Sequence, residues 1–142
     1  SGQRTQNPNI QHRDSTSRDF VIIQQAWLQL LEYFNGKRQV FNLPLSPQGT
    51  NFQKDAWTIS KEIPYGETRS YTWQSSAIKK FGGQRAVGVA NSKNPLPILI
   101  PCHRIVAKDG ALKNYIGGTL IKKRLLLHES FFRSQKKLGV PL

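Results

Sequence analysis

Cys102, His103 and Arg104 occupy consecutive positions at the end of the apolar run NPLPILIP. A thiolate is a strong nucleophile, but a free cysteine keeps its proton until about pH 8.5. Releasing it near neutrality needs a neighbouring base or cation. His103 offers the base and Arg104 the cation. Acids are scarce, with eight Asp and Glu in all, and Glu129 follows the apolar stretch LLLH. That position predicts a buried carboxylate in need of a partner, and so a residue able to orient His103. A plainer role competes with this one: a lone thiol in an apolar run packs as a small hydrophobe. Neighbouring residues in a strand also point to opposite faces, so contact between Cys102 and His103 requires a bend or a bridging water. The local pattern leaves both readings open.

The elements that must position these residues come from a chain of 142 residues, enough for one domain with a buried core. No run of about 18 apolar residues is present, so no membrane span and no membrane partner are expected. A single cysteine excludes an internal disulfide framework and fits a reducing compartment. One cysteine and three widely spread histidines do not form a standard ligand pattern, so no metal is expected. The net charge of +13 is uneven, with +2 on residues 1–50 and +11 on residues 51–142. A basic half of this size fits a polyanion such as nucleic acid; a solvated basic surface is the alternative.

Residues 1–18 are polar and read as a disordered tail. From Asp19, Trp27, Leu30, Leu31 and Phe34 recur at helical spacing, and Asn35-Gly36 stops the helix. In VFNLPL the alternation of Phe41, Leu43 and Leu45 predicts a short edge strand carrying Pro44. Thr50 and Gln53 form a capping box for a helix bearing Phe52, Ala56, Ile59 and Ile63 on one face. Ser70 caps the next helix, which should run to about Lys80. Gly82-Gly83 turns the chain into a second short helix, QRAVGVANS. Two short helices joined this way form a helix-turn-helix candidate. Ala86, Gly88 and Ala90 in the second helix are all small, which suits close packing or close approach to DNA. RIV after Cys102 reads as a strand, KDG as a turn, and IKKRLLLHE as a helix with Leu125, Leu126 and Leu127 facing mainly inward. The basic end FFRSQKKLGVPL reads as loosely held. The expected fold is α/β (α+β): a shortened N-terminal α/β portion over 19–49 and a mainly α-helical C-terminal domain over 50–142.

The segments FQKDAW, IPYGETRSY, RAVGVAN, NPLPILIPCHR and NYIGG follow one another from Phe52 onward. In order and spacing they resemble the O6-alkylguanine-DNA alkyltransferases. The resemblance implies that Cys102 accepts an alkyl group from guanine O6 and keeps it, one turnover per molecule. It implies that His103 acts on the thiol through a water, that Glu129 orients His103, and that no cofactor is used. It implies a partner, double-stranded DNA containing O6-alkylguanine, bound through the minor groove by the helix-turn-helix of a monomer. Carried over by position, Arg85 fills the gap left by a flipped nucleotide and Tyr71 crowds the target phosphate. Asn94 ties the recognition helix to the active-site turn. Ala86, Gly88 and Ala90 admit the helix to the groove, and Gln53, Thr72, Lys80 and Lys108 meet the DNA backbone. Tyr115, Pro97 and Ile105 line the base pocket, and Lys113 stands at its mouth, where it would hinder bulky substituents. The implied location is the nucleus in a eukaryote and the cytoplasm otherwise. Gln74 departs from the family pattern, which has an aliphatic core residue there; repacking of Trp73 is the expected compensation. The alternative is an alkyltransferase-like module that binds damaged DNA without repairing it, though such modules replace the cysteine.

Overall fold

Ser17 accepts a hydrogen bond from the Phe20 amide, and helix α1 (Arg18–Phe34) starts there. The computed structural model describes residues 17–139. The expected disordered tail lies outside the described residues up to residue 16, whereas Ser17 and Arg18 belong to the helix and its cap. Gln29 and Tyr33 are the buried residues of α1. The apolar residues that announced the helix, Trp27, Leu31 and Phe34, are exposed.

The expected edge strand over VFNLPL is absent, and residues 37–50 form no strand. A strand needs a partner backbone, and here a side chain takes that part. The Asn42 amide donates to Gln29 Oε1 at 2.9 Å, and Gln29 Nε2 donates back to the Asn42 carbonyl at 3.1 Å. The segment is still anchored, with Phe41 tilted against Tyr33 and Leu45 packed beside Trp57 and Ile100. The N-terminal portion is thus a helix and an irregular segment rather than α/β.

Helix α2 (Asn51–Ser60) begins at the expected capping box, formed in both directions by Thr50 and Gln53. It stops at Ser60, so Ile63 reaches the core from the following turn. Trp57 donates its indole N–H to the Ala90 carbonyl at 2.9 Å, which docks α2 on α4 (Gln84–Ser92). Between them, β1 (Arg69–Ser70) feeds directly into α3 (Tyr71–Ala77), whose first turn Ser70 caps. Helix α3 ends before the expected Lys80, because Lys79 turns into left-handed backbone. Gly82, at φ +77°, makes the turn to α4. After a 3₁₀ turn at Cys102–Arg104, β2 (Ile105–Val106) pairs in parallel with β1, Arg69 opposite Ile105 and Ser70 opposite Val106. The main core joins Ala56, Ile63, Tyr71, Val87, Ala90 and Ile105.

Helix α5 (Thr119–Lys137) buries Lys122, Leu125 and Glu129. Consecutive helical residues lie about 100° apart, so three successive leucines cannot share a face, and Leu127 is exposed. The end expected to be loose is helical to Lys137. Phe132 packs on His128, and Arg133 donates to the Gly66 carbonyl at 3.1 Å.

Gln74 is compensated by another residue than Trp73. It is fully buried and exchanges two amide hydrogen bonds with Asn91, at 2.7 and 2.8 Å. Replacing one partner alone leaves a buried amide unsatisfied, at a cost of about 1–3 kcal/mol. Gln74→Leu should therefore lower stability in urea melts by that amount, and Gln74→Leu with Asn91→Leu should recover part of it.

Candidate active site

Glu129 is fully buried and accepts five hydrogen bonds. Arg104 Nε donates to Oε1 at 2.8 Å and Arg104 Nη2 to Oε2 at 3.2 Å. The Gly66 amide donates to Oε1 at 3.1 Å, and the Tyr33 hydroxyl donates to Oε2 at 2.7 Å. His103 Nε2 lies 2.5 Å from Oε2. Burial pushes the Glu129 carboxyl up, but the hydrogen bonds and charges of His103 and Arg104 outweigh it and set its pKa at about 2. The acid is therefore an anion.

His103 is also fully buried, and burial pulls its pKa below the ordinary histidine value. A neutral ring facing a carboxylate carries its hydrogen on the nitrogen nearest that carboxylate, here Nε2. Nδ1 then holds a lone pair, and it is buried with no hydrogen-bond partner among the described residues. This is a base with its proton-accepting atom free.

The expected bend between Cys102 and His103 is the 3₁₀ turn Cys102–Arg104. Arg104 does not serve the thiol. It turns to Glu129 and donates to the Ile63 carbonyl at 2.7 Å. Cys102 is 1% exposed, with Sγ 3.8 Å from Ser60 Oγ. Burial pushes the thiol up to about 12, opposed by its hydrogen bond with Ser60, the charge of Lys122 and a hydrogen bond with Asn94. Asn94 also donates to the Ile100 carbonyl at 2.8 Å and accepts from the Leu96 amide at 2.9 Å, closing the loop that carries the thiol.

Lys122 and Tyr33 escaped the sequence reading. Burial lowers the Lys122 ammonium to about 8, while the nearby Cys102 thiolate favours its charge. Its Nζ donates to the Lys113 carbonyl at 2.8 Å and to the Tyr71 hydroxyl at 3.3 Å. Tyr71 donates to the same carbonyl at 2.7 Å. A signal for Lys122 was present, since it lies seven residues before Glu129 and so on the same helix face. Tyr33 is 96 residues from Glu129 and gave no local sign.

The remaining expected residues divide. Tyr71, Arg85 and Lys113 border one cleft of about 330 Å³ with Gln84, Val89 and Asn114. Tyr115 is buried, its ring 6.4 Å from that of His103. Lys80 and Lys108 are exposed on turns, and Pro97 is exposed. Thr72 accepts from Gln84 Nε2 at 3.4 Å, and Gln53 caps its own helix. Ile105 sits wholly in the core and lines neither this cleft nor the thiol's loop. The expected face of small residues is not one face. Ala86 is exposed beside Arg85, Ala90 is buried in the core, and a Cβ at Gly88 would stand 2.8 Å from Asn114 Nδ2. Gly88 therefore serves close packing of α4 on the 113–115 segment.

With this geometry in place, comparison with known proteins identifies the class. Residues 51–131 match the family model for the DNA-binding domain of 6-O-methylguanine DNA methyltransferase, and the chain belongs to that family. It is 50% identical over 105 residues to a methylated-DNA–protein-cysteine methyltransferase of Methanosarcina barkeri, covering 74% of this chain and 66% of that one. It is 42% identical over 120 residues to the constitutive enzyme of that name from Bacillus subtilis, covering 84% and 70%. The structure resembles that of Mycobacterium tuberculosis OGT in complex with DNA, with a TM-score of 0.75 and 42% identity over 77% of this chain and 68% of that one. The chain thus spans about two thirds of the length of these relatives.

Two measurements test the site. The Glu129 pKa lies below its ordinary 4.5, so this carboxylate stabilises the fold above pH 4.5 and the contribution is lost as pH falls towards 2. Glu129→Gln should flatten the fall of urea-derived stability across that window. At pH 7 it should cost about 3–5 kcal/mol, because Arg104 loses its buried counter-ion. Separately, Cys102 in the folded protein without DNA should react with iodoacetamide at least about tenfold more slowly at pH 7.5 than in urea, as expected for a covered thiol of raised pKa.

Proposed function

We propose that the protein repairs O6-alkylguanine, chiefly O6-methylguanine, in double-stranded DNA by moving the alkyl group irreversibly onto Cys102. The observation that carries this reading is the buried His103–Glu129 pair with Nδ1 unpartnered, one residue from the only cysteine of a chain in this methyltransferase family. His103 holds its Nε2 hydrogen against Glu129, and its Nδ1 takes the thiol proton through a water. Lys122 steadies the resulting thiolate. The sulfur attacks the sp³ carbon on guanine O6. A C–S bond forms, the C–O bond breaks, and its electron pair returns to the base. The proton taken from the thiol passes from His103 to the departing guanine anion, leaving neutral guanine and a neutral imidazole. The thioether has no comparable leaving group, so each molecule acts once.

DNA docks on α3 and α4 as a helix-turn-helix in the minor groove, with exposed Arg85, Ala86 and Val89 presented to it. Arg85 occupies the gap as the target nucleotide swings out. The extruded base enters beside Tyr71, Lys113 and Tyr115. Since Cys102 is covered, entry displaces the 113–115 segment, which the Tyr71 and Lys122 hydrogen bonds to the Lys113 carbonyl hold in place. Lys113 then stands at the entrance and favours methyl over bulkier groups. The charge of +11 on residues 51–142 supplies affinity for phosphate.

The covered thiol also favours a second reading, a module that binds alkylated DNA without transfer. Intact mass separates the two. Incubation with a duplex containing O6-methylguanine should add one methyl group per protein, located on Cys102 by peptide mapping. Cys102→Ala should still bind the duplex and gain no mass. A wild-type protein that binds and gains nothing supports the module, and normal repair by Cys102→Ala would overturn the mechanism. Duplex affinity should fall steeply with salt, as several phosphate contacts require.

A further inference from the structure

The hydrogen bonds that reach the Glu129 carboxylate are shared unequally between its oxygens. Oε1 accepts from Arg104 Nε and the Gly66 amide, while Oε2 accepts from His103 Nε2, Arg104 Nη2 and the Tyr33 hydroxyl. A carboxylate offers about four lone pairs, two on each oxygen. Oε2 therefore carries one donor more than its lone pairs accommodate. Tyr33 is not needed to satisfy that oxygen; its hydroxyl competes with His103 for the same atom.

The surroundings of Tyr33 hold it to that bond. Its side chain is fully buried, with the rings of Phe41, Tyr65 and His128 centred 5.6, 6.1 and 5.0 Å away. His128 Nε2 donates to the Tyr33 carbonyl at 2.8 Å and fixes the end of α1. Burial, and after it the Glu129 charge, push the phenol well above its ordinary value, so the hydroxyl keeps its hydrogen and acts as a donor.

A second donor on Oε2 changes the ring on the other side of it. The basicity of imidazole at one nitrogen rises with the negative charge that faces the N–H of the other. A carboxylate left to His103, Arg104 and Gly66 would draw the Nε2 hydrogen harder and favour the imidazolium. A ring already charged has no lone pair for the thiol proton. Tyr33 spreads the charge of Oε2 and opposes this. The other titratable groups facing the pair do not supply the same effect at that atom. Arg104 and Lys122 act on His103 by charge, while Tyr65, Tyr115 and Cys102 are neutral when they hold their hydrogens. We propose that Tyr33 is a positioning residue for the thiol's base: by taking part of Oε2, it keeps the hydrogen on His103 Nε2 and the ring uncharged, with Nδ1 open. The purpose of this device rests on the proposed transfer to Cys102, but its test does not.

Tyr33→Phe keeps the packed ring and removes only the hydroxyl. In NMR of the free protein labelled on its histidine nitrogens, the His103 Nε2 hydrogen should move downfield. The ring should take up its second proton about one pH unit higher than in the wild type. Single-turnover methyl transfer at saturating duplex should show the same displacement. Its acid limb should move up by about one unit, roughly a tenfold loss of rate at a fixed pH on that limb, with duplex affinity unchanged. A fluorinated tyrosine at position 33 donates more strongly at nearly the same size, so it should displace both readouts the opposite way. A merely structural role predicts a loss of rate or of folded protein that is equal at every pH. Such a uniform loss, or a His103 titration identical in the wild type and Tyr33→Phe, would overturn the inference. So would a fluorinated residue that shifts His103 in the same direction as phenylalanine. A wild-type protein that transfers no methyl group would instead sink the proposed function, and the NMR comparison would still decide the role of Tyr33.

Discussion

One carboxylate holds this structure together. Glu129 is fully buried on α5 and draws donors from three separate parts of the chain: the end of α1, the turn at Gly66 and the 3₁₀ turn. An isolated buried charge would be far too costly to keep. The Arg104 guanidinium, forked across both oxygens, makes it tolerable. That pairing has a chemical result. Because Arg104 balances the acid, His103 can remain neutral beside it and still be oriented by it. A neutral imidazole can accept a proton; an imidazolium could not.

The parts of the fold that depend on local chemistry were legible in the residues. The Thr50–Gln53 box and the Ser70 cap each satisfy amides within three residues, so their signatures are complete in the sequence. The run VFNLPL was misread because alternation describes a strand only when a second backbone lies alongside, and Gln29 takes that place. Likewise LLLH promised an inward leucine cluster, but the rotation of a helix admits only Leu125. The site shows the same division. Cys102, His103 and Glu129 stand out by type and position and take their roles from the family resemblance, whereas Tyr33 and the redirected Arg104 depend on long-range packing that no spacing records.

Polar residues recur in places where apolar ones would pack more simply. Gln74 and Asn91 join α3 to α4 through paired amides. Lys122 lies buried among groups around the thiol. Hydrogen bonds of this kind are directional, and they fix the helices in register where greasy contacts would let them slide. The protein holds its reactive groups with such links, while leaving a broad apolar strip on the far side of α1.

Gly88 gives α4 a property not evident from the helix alone. With no side chain there, the backbone of the helix rests directly on the amide of Asn114. That residue follows Lys113, whose carbonyl accepts from Tyr71 and Lys122. No compressible group separates the helix from that amide. A tilt of α4 therefore presses on the segment whose Lys113 carbonyl Tyr71 and Lys122 grip, which ties the helix to the surroundings of the thiol.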